Sequence, residues 1–153
     1  MSNTVKIAVC GSPAIELESI VATAEIIPGN LLLRNAATTV VSHDVAGGST
    51  GTLFAVEDKM TGGASLTGSF VEAVNVPYAV GAKVYMIYAR PGDVVWAWLN
   101  IGENVAVGEF LVSAGNGNLE AYAGPLTVPS AIVGVALEAV NAVATARIKI
   151  EIR

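Results

Sequence analysis

Residues 83–122, KVYMIYARPGDVVWAWLNIGENVAVGEFLVSAGNGNLEAY, divide into short runs of β-branched and aromatic residues separated by turn chemistry. That punctuation restricts this part of the chain to short strands. Residues 83–89 and 94–99 flank Arg90-Pro91-Gly92-Asp93, whose Pro and Gly suit a tight turn, so the two runs are predicted to form one hairpin. Gly102-Glu103-Asn104 and Gly115-Asn116-Gly117-Asn118 mark two further reversals. The second carries the Asn-Gly signal of a type I′ turn, which requires positive φ at both central residues. The expectation is all-β: a compact antiparallel domain of barrel or sandwich type.

The chain has 153 residues, enough for one domain with a core. A chain of this size buries roughly 70% of the surface that its unfolded form exposes. Its hydrophobic fraction is 53% and its charged fraction 14%, against about 25% charged in an ordinary soluble domain. So few charges cover a monomer poorly, and part of the surface is expected to lie against another protein. The net charge is −5, and only 8 Lys and Arg residues are scattered along the chain. Binding through phosphates needs clustered cations, so nucleic acid is not an expected partner.

A mean hydropathy of +0.60 raises the question of a membrane. The longest uncharged run, 121–137, is interrupted by Gly124, Pro125, Pro129 and Gly134. It falls short of the ~20 apolar residues that a membrane helix needs, so no span is expected. Ile7-Ala8-Val9-Cys10-Gly11 imitates a lipoprotein cleavage box, but Val9 occupies the position that wants a small residue. The expectation is a soluble protein made in the cytoplasm. Cys10 stands alone, which excludes an intrachain disulfide and suits a reducing compartment.

Ser12 before Pro13 suits a helix N-cap, but residues 20–23 are β-branched apart from Ala22, and a strand is favoured there. In residues 94–99 a period of two puts Val94, Trp96 and Trp98 on one face and Val95, Ala97 and Leu99 on the other, both faces being expected to be buried. The paired Trp residues read as core or subunit interface rather than as a ligand platform. Residues 146–153 alternate most cleanly. Ile148, Ile150 and Ile152 face the core, and Arg147, Lys149, Glu151 and Arg153 form an expected solvated face.

Chemistry-bearing residues do not converge. Ser42-His43-Asp44 contains the residue types of a hydrolase triad, but a triad needs side chains arriving from separate segments. His43 is read as an exposed loop residue. With one His and one Cys a zinc site of the usual ligands is not expected. Glu16, Glu18, Glu57 and Asp58 read as solvating carboxylates, and no Walker or dinucleotide glycine pattern occurs. No catalytic residue, cofactor or metal is therefore predicted. Residues 56–60 and the Gly102-Glu103 to Leu111 segment resemble pieces of biotinyl and lipoyl carrier domains, but in those carriers the hairpin precedes the modified Lys, whereas Lys59 comes first here.

Several segments in sequence carry a further resemblance: Ile26-Ile27-Pro28-Gly29-Asn30-Leu31-Leu32, residues 53–58, Arg90-Pro91-Gly92-Asp93, and Gly102-Glu103 through Gly108-Glu109-Phe110-Leu111. Asn116-Gly117-Asn118-Leu119, residues 133–139 and residues 146–150 complete the series. Each is a generic turn or strand, and their order is similar to that in phage head decoration, or capsid cement, proteins of the small β-rich type, whose fold is called a β-tulip. The resemblance implies a homotrimer on the outer surface of a virion capsid, contacting the major capsid protein and stabilising the shell, without catalytic residues. It also implies an N-terminal arm, assigned to residues 1–12, ahead of a single β domain at 13–153. Within the arm, Thr4, Val5, Lys6, Ile7, Ala8 and Val9 are the expected subunit or capsid interface. Val5, Ile7 and Val9 alternate and Gly11-Ser12-Pro13 offers a hinge, as strand addition to a neighbour requires. The alternatives are a phage tail or adhesin module, or a carrier modified at Lys59.

Overall fold

Strands make up nearly all the regular structure of the computed structural model, which describes residues 7–10, 16–21, 23–48, 51–58, 73–124 and 131–153. A 3-10 turn, Ala73–Asn75, lies among them, and no described residue is in an α-helix, so the all-β expectation holds. Strands β2 (Glu16–Val21), β3 (Leu31–Arg34), β4 (Thr39–Ser42), β5 (Leu53–Ala55) and β6 (Lys83–Tyr88) close into a barrel in the order β2-β4-β3-β5-β6. The β-branched run at 20–21 is strand, as favoured, but it joins β4 in parallel rather than antiparallel register, Ile20 beside Thr39 and Val21 beside Val40.

A second sheet contains β1 (Ala8–Cys10), β7 (Val94–Leu99), β9 (Phe110–Ser113), β10 (Leu119–Ala121), β11 (Gly134–Ala136) and β13 (Ala146–Ile152). Pairing of β7 with β13 completes the circuit β7-β10-β9-β11-β13, with β1 laid along β7. The ribbon of β8 (Asn104–Val105) and β12 (Val140–Asn141) projects from this part.

Period-two alternation divides the apolar residues between two cores. Leu32, Val40, Leu53, Ala55, Val84 and Met86 fill the first barrel. Their strand neighbours Leu31, Phe54 and Ile87 join Val95, Ala97, Leu99, Ile148, Ile150 and Ile152 in the larger cluster. The two circuits thus share one apolar interface, in which a side chain such as Phe54 contributes about 1.5–3 kcal/mol by leaving water.

The predicted hairpin across residues 90–93 does not form. Strand β6 pairs with β2 and β5, whereas β7 pairs with β1, β10 and β13. The Asp93 N–H donates to the Arg90 carbonyl at 2.9 Å, Gly92 has φ of 90°, and Pro91 precedes it, which defines a type II turn. Such a turn splays the flanking strands instead of following their twist, so it serves as a corner between the two sheets. The chain leaves this corner already bound to β13, with Gly92 N–H donating to Ile152 O and Ile152 N–H to Asp93 O.

The type I′ turn is also replaced. Gly115 and Gly117 take positive φ, and Asn116 does not. The loop is shaped by the first barrel instead: Gly117 N–H donates to His43 O, Leu31 N–H to Gly117 O, and the Asn30 amide to Gly117 O and Asn118 Oδ1. A Cβ on Gly117 would lie 2.9 Å from Ser42 Cβ, so the close approach of the two sheets needs glycine there.

Candidate interaction surface

Of the predicted arm interface, Thr4, Val5 and Lys6 lie outside the described residues. Ile7 is fully buried within its own chain. Its N–H donates to Glu57 Oε2 at 3.1 Å and its carbonyl accepts from Trp96 N–H at 2.9 Å. Ala8 pairs with Val95 and Cys10 with Val94, which places Val9 inside the same short strand. Residues 7–10 are therefore seated on β7 of the same chain. Lys59 also lies outside the described residues.

The charged side of β13 is not the solvated face expected of it. Arg147 pairs with Trp98 and Lys149 with Trp96 across the β7–β13 ladder, and side chains of such pairs share a face. The Arg147 guanidinium carbon lies 4.4 Å from the Trp98 ring centroid, and Lys149 Nζ lies 5.2 Å from that of Trp96. Two cations roof the two indoles, and this is how β7 becomes covered on both sides. At the end of the strand Arg153 forms an ion pair with Glu151 at 3.4 Å.

His43 is buried rather than exposed, and its Nδ1 lies 2.7 Å from Ser113 Oγ, which also accepts from Gly115 N–H. A Ser partner from a distant segment does exist, but Ser113 is itself fully buried and Asp44 is exposed. The pair joins the first barrel to β9 with its reactive atoms closed to solvent. Sequence offered only the isolated His43 as a signal. A hollow of about 310 Å³ lies elsewhere, lined by Asp58, Val76, Pro77, Tyr78, Lys83 and Tyr85 among others. Tyr78 donates its hydroxyl to Val56 O, and burial holds its phenol well above the usual range. Among the described residues no group of three or more His, Cys, Asp and Glu is placed to hold a metal, and no helix is long and apolar enough to cross a membrane.

Three of the exposed apolar side chains, Val80, Ile101 and Val107, share a setting. Type II turns include those at 27–30, 79–82, 90–93, 100–103 and 106–109, each with positive φ at a third-position glycine and a bond from the fourth N–H to the first carbonyl. Their second positions hold Pro28, Val80, Pro91, Ile101 and Val107. Val80, Ile101 and Val107 are 61%, 61% and 65% exposed, and Val143, in the connection from β12 to β13, is 85% exposed. Bonds between Gly102 N–H and Ala142 O, and between Gly108 N–H and Ala136 O, bring Ile101 near Val143 and Val107 near the exposed Leu137. Both ends of the β8–β12 ribbon thus present apolar tips to solvent.

No protein-family model matches the chain, and no curated protein matches it. Among solved structures the chain is similar to the N base of head fiber gp8.5 of bacteriophage phi29, with a TM-score of 0.52 and 11% sequence identity. The likeness covers 91% of this chain and 93% of that one, so it is a likeness of the whole fold.

Proposed function

We propose that this chain is a structural protein of a phage virion that seats as a homotrimer on the outer surface of the capsid and stabilises the shell, without catalysing a reaction. The observation that carries the reading is the near-complete overlap of its fold with the base of a phage head fiber, 91% of one chain on 93% of the other. The apolar excess of the sequence and the exposed apolar tips give such a protein surface to bury in an assembly. Trimeric attachment multiplies weak single contacts into avidity. This is the cement type of the family resemblance, a β-tulip.

Light scattering behind size exclusion, across a dilution series, is expected to give three chain masses. Gold-labelled antibody against the chain is expected to mark virion heads. Label on the tail would favour the tail or adhesin alternative, and a strict monomer that leaves heads unlabelled would overturn the reading. An acyl or biotin adduct on Lys59 in an intact mass would return the carrier to first place.

A further inference from the structure

The turns that end the β8–β12 ribbon carry exposed β-branched side chains at their second positions, as the 79–82 turn does. The second position of a type II turn favours Pro, and the chain uses Pro at 28 and 91. At 101 and 107 it instead places Ile and Val, pointing into solvent, where they do nothing for the turn. We propose that the ribbon, with Ile101 and Val143 at one end and Val107 and Leu137 at the other, docks on a basic protein surface that offers apolar sockets. Resting on the reading above, that surface belongs to the capsid shell and not to a second copy of this chain.

Charge selects this occupant. Between Pro91 and Ala146 the sequence has no Lys, Arg or His, and its charged residues are Asp93, Glu103, Glu109, Glu120 and Glu138. Glu103 and Glu109 each sit two residues after an apolar tip. Two ribbons meeting across a symmetry axis would set like charges against each other in an apolar contact, a costly arrangement. A cationic surface reverses the sign of that interaction. The rim is also held in place: Glu109 Oε2 accepts from Ala106 N–H and Glu138 Oε1 from Lys149 N–H, which reduces the side-chain entropy lost on docking.

The test is co-sedimentation of the full chain with undecorated heads of the phage that encodes it. Ile101→Ser with Val143→Ser is expected to weaken binding by roughly tenfold or more, as removal of central apolar contacts does, while trimer mass and Tm stay at the wild-type values. Should the Ser variant fold poorly, Ile101→Pro with Val107→Pro keeps both turns and removes one apolar tip from each end of the ribbon, with the same loss of binding expected. Glu109→Gln with Glu138→Gln keeps the acceptors and is expected to flatten the salt dependence of binding. Wild-type binding that the tip variants leave unchanged would overturn the ribbon proposal alone. So would tip variants that dissociate into monomers, because the ribbon would then join copies of the chain. Failure of the wild-type chain to sediment with heads would overturn the capsid reading itself.

Discussion

Arg147 and Trp98 converge on one backbone carbonyl. Trp98 Nε1 donates to Pro28 O at 2.9 Å, Arg147 Nη2 donates to the same oxygen at 3.2 Å, and the guanidinium lies over the indole. Arg147 further donates to Asn75 Oδ1 at 2.8 Å and to Val74 O. One side chain of the last strand therefore ties together the 27–30 turn, the 73–75 turn and the face of β7.

Replacing Arg147 is accordingly expected to act on the whole fold. Arg147→Ala loses charge-assisted bonds of about 1.5–3 kcal/mol and a partly desolvated cation–π contact of about 0.5–2 kcal/mol, so a net loss on the order of 3 kcal/mol is expected in urea denaturation. Arg147→Lys keeps the charge but loses the planar fork that reaches several acceptors, and it is expected to recover less than half of that loss. A Lys variant as stable as wild type would mean that charge alone holds the site.

His43 and Ser113 supply the second cross-connection. Ser113→Ala removes the hydroxyl at His43 Nδ1 and the acceptor of Gly115 N–H inside a buried site, so a loss of about 1–3 kcal/mol is expected. His43→Leu is expected to cost a similar amount. If the pair acts as a unit, the double variant costs less than the sum of the two, and a double-mutant cycle measures the difference. Strict additivity would place the two residues in independent roles.

Local alternation was legible where one strand face meets the core and the other does not. Ile148, Ile150 and Ile152 announce β13 directly, and the turn at 90–93 is plain from Pro91-Gly92. Partner choice was not legible. The same turn chemistry serves a hairpin or a corner, and only the pairing of β6 with β2 and β5 decides between them. Sequence distance also hid the site features. His43 meets Ser113 across 70 positions and Arg147 meets Pro28 across 119, so a polar residue that looked solvated turns out to be the anchor of a long-range bond.

The solvent-facing turns allow a gain in stability. Ile101 and Val107 occupy positions whose geometry Pro adopts without strain, and neither follows a helical residue. Ile101→Pro and Val107→Pro are each expected to add about 0.4–1 kcal/mol by restricting the unfolded chain. A midpoint increase in urea for both variants supports the turn assignment. A decrease at either site would mean that its N–H or its backbone angle is needed in another form.

Glu120 makes stability fall as pH rises through the mildly acidic range. Partial burial, and then the neighbouring Glu103 carboxylate, hold its carboxyl above the ordinary value. The folded protein therefore keeps this proton to a higher pH than the unfolded chain does. Its contribution to stability is fully present below about pH 4.3, the ordinary Glu value, and is lost as pH rises through the elevated one. Glu120→Gln removes the charge, so the variant is expected to melt above wild type at pH 7 and to lose that advantage near pH 4. Salt at pH 7 is expected to narrow the gap by screening the part due to Glu103. A Tm difference that stays constant between pH 4 and pH 7 would assign the effect to packing rather than to the carboxylate charge.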